Sequence, residues 1–403
     1  MDPDRQKRAT DSDGRIPVSV LTGFLGSGKT TLLNELMRHP DMKGTAVLIN
    51  EFGSVGVDHH LVDSIDDTTV LLDSGCLCCA TNGDLVRALR QLHDRMARRE
   101  IPPIRRVVIE TSGLADPTPV VNTLMEDRHL AVRYICDGVL TVIDASLCFD
   151  QLRDYPEALR QASMADLLLI SKCDLVNRER RKAVLAELKA VNPTAPTIEM
   201  RPGSAAPDRL FAAGIYAGVS QADRIARWFG AQPENSGRHR LDDAFRIGSF
   251  VVTFDSPVAW RSFAVAMGWI MVRHSNRLLR VKGLMRALGE TAPIVVHCVQ
   301  DNAYAPVRLK NWPDKGPFAD GRGRIVFIGK GFDAELEADI RRSLADLPGA
   351  SAAVQQLAAT PNLPTRCWLD ARLPILGGGS FETEAWIVMP RRYGGESKLE
   401  AMG

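Results

Sequence analysis

The sequence predicts an α/β protein in which a parallel sheet, covered by helices on both faces, is followed by a smaller α+β domain. Short apolar runs alternate with amphipathic helical patterns from residue 16 to residue 230, and this alternation is typical of a parallel sheet between two layers of helices. The chain has 403 residues, which is more than one hydrophobic core usually serves. A polar, breaker-rich stretch at 231–244 predicts a linker, and residues 245–347 form the second domain.

The elements of the first domain follow from the spacing of apolar residues. Six apolar runs have the length of buried strands: IPVSVLTG, TAVLINEF, TVLLD, RRVVIET, GVLTVIDA and DLLLISKCD. Three intervening stretches repeat apolar residues at helical spacing: TTLLNELMRH, DLVRALRQLHDRMARRE and RERRKAVLAELKAV. We expect loops at the carboxyl ends of these strands to share one edge of the sheet, where such folds bind ligands.

The second domain has a different order of elements. Strands are predicted in FVVTFDSP, RLLRVKGLM, PIVVHCVQ and RIVFIGK, and helices in AWRSFAVAMGWIMVRH and DAELEADIRRSLADL. This order predicts a largely antiparallel sheet with helices. Residues 1–15 form a polar tail. Residues 348–403 form a second tail to which the sequence assigns no role, with CWLDARL and AWIVM as its only possible strands.

Composition restricts the classes of partner. Fifty basic and forty-nine acidic residues give a net charge of +1, which supplies no field to attract nucleic acid or a membrane surface. The charged N-terminus lacks a secretory signal and no apolar run approaches the roughly 20 residues of a membrane span, so we expect a cytoplasmic protein. Thiols stay reduced there, and five scattered cysteines are predicted to be mostly buried small hydrophobes: Cys136, Cys148, Cys173, Cys298 and Cys367.

A phosphate-binding loop is predicted at GFLGSGKT, directly after an apolar strand and opening a helix. Glycines let such a loop wrap an anion, and backbone N–H groups with the helix N-terminus supply a positive field. Lys29 is expected to reach the terminal phosphates and the Thr30 hydroxyl to help bind Mg²⁺. The predicted nucleotide-binding set is Gly23, Phe24, Leu25, Gly26, Ser27, Gly28, Lys29, Thr30 and Thr31. The alternative, a glycine-rich turn with an exposed lysine, does not explain the strand and helix around it.

Nucleotide hydrolysis also needs an acidic group near the metal and a group that senses the γ-phosphate. In RRVVIETSG, Glu110 ends an apolar strand and Gly113 follows it after two residues. We predict that Lys29, Thr30, Glu110 and Gly113 serve catalysis. Taken alone, Glu110 is equally well explained as a solvated carboxylate at the end of a strand.

A motif that could select the nucleotide base is SKCD, at the end of another strand. This tetrapeptide resembles the [NT]KxD signature of many P-loop GTPases, in which the aspartate accepts hydrogen bonds from guanine and the lysine packs along the base. Ser171, Lys172 and Asp174 are therefore predicted to bind the guanine of GTP, with Ser171 replacing the usual Asn or Thr. An ordinary turn between strand and helix is the alternative.

Three cysteines fall within four positions in SGCLCC. The thiolates of Cys76, Cys78 and Cys79 can converge on one ion and favour a metal such as Zn²⁺. Buried structural cysteines are the alternative. In INEFGSVGVDHH, Glu51 is the best additional candidate to approach the metal.

Together these motifs, with LLRVKG and RIVFIGK, resemble the CobW-type P-loop GTPases over residues 16–345. The resemblance implies a P-loop fold with a CobW C-terminal domain. It also implies a Mg²⁺-dependent GTPase, or hydrolase, acting as a metallochaperone for a client metalloprotein. In this group the C-x-C-C motif, here Cys76, Cys78 and Cys79, is the metal-transfer site.

Several functions stay open at this stage. The metal could be zinc, or the chain could handle cobalt for cobalamin synthesis or insert metal into an enzyme such as nitrile hydratase. In other functional classes, it could be a kinase or ATPase that shares only the phosphate loop, or a metal buffer or scaffold with vestigial nucleotide binding. The sequence does not determine the client or the oligomeric state.

Overall fold

The first domain alternates strands and helices as the sequence predicts. A computed structural model describes residues 15–49, 70–73, 83–201, 203, 206–211, 247–304, 306–309, 311–313, 316–345, 347 and 363–370. In chain order the elements are β1 (Ile16–Thr22), α1 (Lys29–Met37), β2 (Thr45–Ile49), β3 (Val70–Asp73), α2 (Gly83–Ala97), β4 (Arg106–Glu110), α3 (Thr118–Glu126), α4 (Arg128–Ala131), β5 (Tyr134–Asp144), α5 (Cys148–Asp154), α6 (Pro156–Met164), β6 (Leu167–Ser171), α7 (Arg178–Val191), β7 (Thr197–Glu199) and α8 (Pro207–Leu210).

The described strands of this domain form one sheet in the order β3-β2-β4-β1-β5-β6-β7. Every pairing in it is parallel, which confirms the predicted parallel sheet. The register places Leu21 beside Glu110 and Asp144 beside Ser171. The carboxyl ends of β1, β4, β5 and β6 are therefore level, with β1 between β4 and β5.

Helices cover both faces of the sheet because successive strand residues point to opposite sides. Val107 and Ile109 of β4 pack in a cluster with α2 and α3, whereas Val108 between them packs with α1. Further along the sheet, Leu168 and Ile170 pack with α6 and α7. The continuous apolar runs in the sequence reflect this burial on both sides.

The second domain is the predicted smaller α+β unit. Its elements are β8 (Ile247–Phe254), α9 (Trp260–Arg273), β9 (Leu278–Met285), β10 (Ile294–Val299), β11 (Asn302–Ala303), β12 (Val307–Arg308), β13 (Gly323–Lys330) and α10 (Ala334–Ala345). The strands are antiparallel in the order β11-β10-β9-β13-β8, with β12 beside β10. One face of this sheet packs on α9 and α10, and the other packs on α6 and α7 of the first domain.

A buried charge cluster links the two domains. Arg280 on β9 donates to the Asp166 carboxylate and to the Met164 carbonyl at the end of α6. Lys282 Nζ lies 4.0 Å from the same carboxylate. Burial by itself would raise the pKa of Asp166, but the charges of Arg280 and Lys282 outweigh it and the pKa is lowered. Burial lowers the pKa of Lys282 well below its usual value, and the charge of Arg280 adds to this effect.

Part of the C-terminal tail belongs to the second domain. Residues 363–370 pack on α9, and Arg366–Asp370 form a helix, α11. The predicted strand in CWLDARL is therefore wrong for this part. Helix is favoured because it buries Trp368 completely, whose indole N–H donates to the Tyr304 carbonyl at 2.6 Å. In the part of the chain that the structure describes, no helix is long and apolar enough to span a membrane.

Candidate functional site

The predicted phosphate loop connects β1 to α1 at the carboxyl edge of the sheet. Gly23 has a φ of 142°, and a Cβ atom there would lie 2.3 Å from the carbonyl oxygen of Val142. No side chain fits at this position, so glycine is required for the loop to turn against β5. α1 begins at Lys29, and its N-terminal N–H groups, which lack partners within the helix, face the loop.

Lys29 is held inside this loop. Its side chain is buried, and Nζ donates to the carbonyls of Gly23 at 2.9 Å and Phe24 at 3.3 Å. Leu25 is 54% exposed at the tip of the loop. The ammonium group therefore occupies the interior of the predicted anion cradle, where phosphate oxygens can accept hydrogen bonds from it.

Thr30, the next residue, joins the phosphate loop to the end of β4. The Thr30 hydroxyl donates to Glu110 Oε1 at 2.8 Å, across 80 positions of sequence. Glu110 is buried at the end of β4, and the neighbouring β1 brings it beside α1. A hydroxyl and a carboxylate at this position form a set of oxygen ligands that fits Mg²⁺.

Gly113 lies against the phosphate loop. A Cβ atom at Gly113 would lie 2.7 Å from the backbone nitrogen of Leu25, so only glycine allows this close approach. Two residues before Gly113, the hydroxyl of Thr111 donates to the hydroxyl of Thr22 at 2.7 Å. This hydrogen bond joins the ends of β4 and β1. The structure thus brings together all four residues predicted to serve catalysis.

The predicted base-binding motif is joined to the same loop. The Ser171 hydroxyl donates to the carbonyl of Ser27 at 2.6 Å and also lies 3.1 Å from the carbonyl of Ile143. Serine in place of Asn or Thr therefore still ties the end of β6 to the phosphate loop. Asp174 follows in a short 3₁₀ turn and is exposed, so its carboxylate is accessible to a ligand.

Sequence reasoning missed Asp144, which positions Lys172. Lys172 has a left-handed backbone, with φ of 53°, and its Nζ lies 2.6 Å from the buried Asp144 carboxylate. Burial would raise the pKa of Asp144, but hydrogen bonds from Lys172 and Ser146 lower it. An acidic residue ending the run GVLTVID was the available signal.

Gln161 on α6 was also missed. It is 1% exposed, and its side-chain amide donates to the carbonyls of Gly113 at 3.1 Å and Ala115 at 2.9 Å. A glutamine inside an amphipathic helix gives no sequence signal for such contacts, because they depend on how α6 lies beside the end of β4.

The predicted transition-metal ligands, Cys76, Cys78, Cys79 and Glu51, lie outside the described residues. The strand that precedes the cysteines, β3, ends at Asp73 on the same edge of the sheet as the phosphate loop. It lies three strand positions from β1, which corresponds to about 14 Å at the usual spacing. The described residues hold no cluster of three or more His, Cys, Asp or Glu suited to a metal.

Four of the five scattered cysteines are buried, as predicted for most of them. All are free thiols, and the first four are buried while Cys367 is half-buried. Burial raises the pKa of Cys136 and of Cys148 to about 12, which disfavours the thiolate form that binds metals.

Comparison with known proteins follows the same division of the chain. Residues 17–199 match the family described as CobW/HypB/UreG, nucleotide-binding domain, and residues 247–347 match the cobalamin synthesis protein cobW C-terminal domain. The zinc chaperone YjiA of Escherichia coli (strain K12) is 31% identical over 316 residues, 78% of this chain and 94% of the relative. The chain belongs to the CobW-type P-loop GTPase family.

Two further comparisons extend over most of this CobW-type chain. A solved structure of the Zn(II)-bound YjiA GTPase from E. coli superposes with a TM-score of 0.62 at 30% identity, covering 83% of this chain and 99% of that one. The zinc-regulated GTPase metalloprotein activator 1 of Saccharomyces cerevisiae is 27% identical over 379 residues, 82% of this chain and 84% of the relative. Fold and family therefore agree across both domains.

Proposed function

We propose that this protein hydrolyses GTP and uses the reaction to bind and deliver zinc, or a related transition metal, to a client metalloprotein. The observation that carries the nucleotide part is the convergence of four segments at one sheet edge. These are the phosphate loop with Thr30, the end of β4 at Glu110, the turn at Gly113 and the motif at Ser171 to Asp174.

Each segment has a chemical task in this proposal. Lys29 and the N-terminus of α1 bind the phosphates, and Thr30 with Glu110 would hold Mg²⁺, which when bound neutralises developing phosphate charge. Gly113 lies against the loop and offers its backbone to the γ-phosphate. Asp174 accepts hydrogen bonds from the guanine ring, which supports GTP over ATP because adenine lacks the matching pair of donors.

The metal part rests on the cysteine motif and on relatives. Cys76, Cys78 and Cys79 are the proposed ligands, with Glu51 as a further candidate. One relative is named a zinc chaperone, a related structure is Zn(II)-bound, and another relative is named a metalloprotein activator. We infer that γ-phosphate-dependent ordering of loops at the shared edge sets the metal affinity. Linkage then requires zinc to change the affinity for the nucleotide by the same factor.

One preparation tests both parts. GTP hydrolysis and zinc stoichiometry are measured for the wild type, for a C76S/C78S/C79S variant and for Lys29→Ala during zinc titration. We expect GTP preference over ATP in the wild type, loss of hydrolysis in Lys29→Ala, and loss of zinc binding with retained nucleotide binding in the triple variant.

The alternatives give different results. ATP preference would favour a kinase or ATPase. Full client activation by Lys29→Ala would favour a metal buffer or scaffold. Identical affinity for a GTP analogue with and without zinc would refute the coupling, and titration with Co²⁺ in the same assay tests the cobalt alternative.

A further inference from the structure

Gln161 directs both protons of its side-chain amide at the turn that follows β4. Nε2 donates to the carbonyls of Gly113 and Ala115 at 3.1 and 2.9 Å. The side chain is almost completely buried, at 1% exposure. Its own backbone is fixed to the sheet, because the Thr141 hydroxyl on β5 donates to the Gln161 carbonyl at 2.9 Å.

The orientation of this amide is determined by its surroundings. The reverse orientation would place Oε1 against two carbonyl oxygens, which cannot donate to it. In the observed orientation Oε1 is buried and accepts no hydrogen bond within the described ranges. A buried acceptor without a partner is destabilising. Any stabilising contribution of the Gln161 side-chain amide therefore comes from its two hydrogen bonds to the turn.

These bonds set the direction of backbone N–H groups in the turn. The C=O and N–H of a trans peptide point in opposite directions. Holding the Gly113 carbonyl against α6 therefore turns the Leu114 N–H away from α6. The Ser112 carbonyl accepts from the Ala115 N–H at 3.1 Å inside the turn, so the Gly113 N–H points out of it.

A second contact from α6 supports the same turn. Arg160 Nη1 lies 3.4 Å from Asp116 Oδ2. The other oxygen of Asp116 accepts from the backbone N–H of Thr118 at 2.9 Å and from its hydroxyl at 2.6 Å, which fixes the start of α3. Two neighbouring residues of α6 therefore hold the turn: Gln161 donates to the carbonyls of Gly113 and Ala115, and Arg160 pairs with Asp116.

We propose that Gln161 is a positioning residue for the γ-phosphate: it fixes the peptide planes of the Gly113–Ala115 turn so that the turn's N–H groups distinguish GTP from GDP. This inference rests on the proposed function, since it assigns Gln161 a part in the same nucleotide site. Gln161 acts through the turn and does not itself contact the nucleotide.

The test compares affinities for a β,γ-imido analogue of GTP and for GDP in the full-length protein. Gln161→Met keeps the length and helix propensity of the side chain but removes both donors. We expect the ratio of analogue affinity to GDP affinity to fall about ten-fold, as the loss of two neutral hydrogen bonds implies. KM for GTP should rise while GDP affinity stays unchanged.

Gln151→Met is the matched control. Gln151 is a buried glutamine of the preceding helix, and no hydrogen bond joins it to the turn in the described structure. The affinity ratio of this variant should equal that of the wild type. Should Gln161→Met fail to fold, amide hydrogen exchange on the wild type replaces it. Residues 111–116 and α6 should then gain protection together with the analogue and not with GDP.

The outcomes separate this inference from the proposed function. An unchanged ratio in folded Gln161→Met, or analogue protection of the turn without α6, overturns the role of Gln161 and leaves the proposed function intact. If the wild type binds no guanine nucleotide, both are overturned together. A fall in analogue affinity matched by an equal fall in GDP affinity shows a purely structural role and also refutes the inference.

Discussion

Replacing Trp368 by Ala should destabilise the second domain strongly, although this residue lies beyond the matched family domain, which ends at residue 347. Trp368 is fully buried. Its ring stacks with Trp260 and Phe263 at centroid distances of 5.6 and 6.0 Å, and its indole N–H donates to the Tyr304 carbonyl at 2.6 Å. The residue thus anchors the segment 363–370 to α9.

The magnitude follows from the buried surface. A tryptophan side chain buries about 150–250 Å², which at about 25 cal/mol per Å² gives roughly 4–6 kcal/mol. Unfolded chains already bury part of this surface, which lowers the value, while the lost hydrogen bond adds about 1 kcal/mol. Large-to-small substitutions of buried aromatic residues cost about 3–5 kcal/mol. We therefore expect a loss of about 4 kcal/mol in the free energy of unfolding.

Urea unfolding followed by circular dichroism measures this loss. One shortened chain provides a comparison. A chain ending at Leu347, which lacks Trp368 and the segment around it, should lose at least as much stability as Trp368→Ala. A change below about 1 kcal/mol in Trp368→Ala, well under the cost of an aromatic cavity, would refute the assignment of Trp368 to the core.

Three further predictions concern the domain interface and the nucleotide site. Asp166→Asn should cost about 3 kcal/mol, because Arg280 stays buried without its anion. Folding lowers the pKa of Asp166, so its ionised form stabilises the protein fully above the unfolded pKa of 3.8. This stabilisation is lost as the pH falls through the lower pKa of the folded state. Urea unfolding measures it, and a stability difference between wild type and variant that grows on acidification would contradict the prediction. Ser171→Ala should weaken GDP binding about five-fold by removing one hydrogen bond to the phosphate loop. Ser171→Thr keeps the hydroxyl and should bind GDP like the wild type. Calorimetry that finds equal GDP affinity for the Ala and Thr variants would show that the hydroxyl is unimportant. Gly113→Ala would place a Cβ atom 2.7 Å from the backbone nitrogen of Leu25. The value of kcat/KM for GTP should therefore fall at least about ten-fold, because backbone donors would lose their position. Wild-type kinetics in this variant would disprove the close approach.

The geometry of the candidate nucleotide site was the most predictable part of the molecule, because its elements are local. The phosphate loop is eight consecutive residues whose glycines and lysine carry their own conformational requirements. Glu110 and Ser171 could be placed because each ends an apolar strand, and parallel strands end at one edge. The assignment of zinc to Cys76, Cys78 and Cys79 stays a prediction, since these residues lie outside the described ranges.

Contacts between distant segments were not predictable from the pattern. Thr30 meets Glu110 across 80 positions, and Ser171 meets Ser27 across 144. Both contacts depend on the strand order, in which β1 lies next to β4 and is separated from β6 by β5. The sequence of a single strand does not predict this order. Trp368 was assigned to an unexplained tail for the same reason, because the surface that buries it is formed by α9 and by residues near Tyr304.

By itself the sequence determined the α/β class, the main strands, the phosphate loop and the family of this protein, because periodicity and glycine conformation act over a few neighbouring residues. Only the tertiary structure decided that Gln161 supports the turn at Gly113, that Asp144 holds Lys172 and that Arg280 joins the domains through Asp166. Those partners are chosen by packing, which brings together side chains that no local pattern relates.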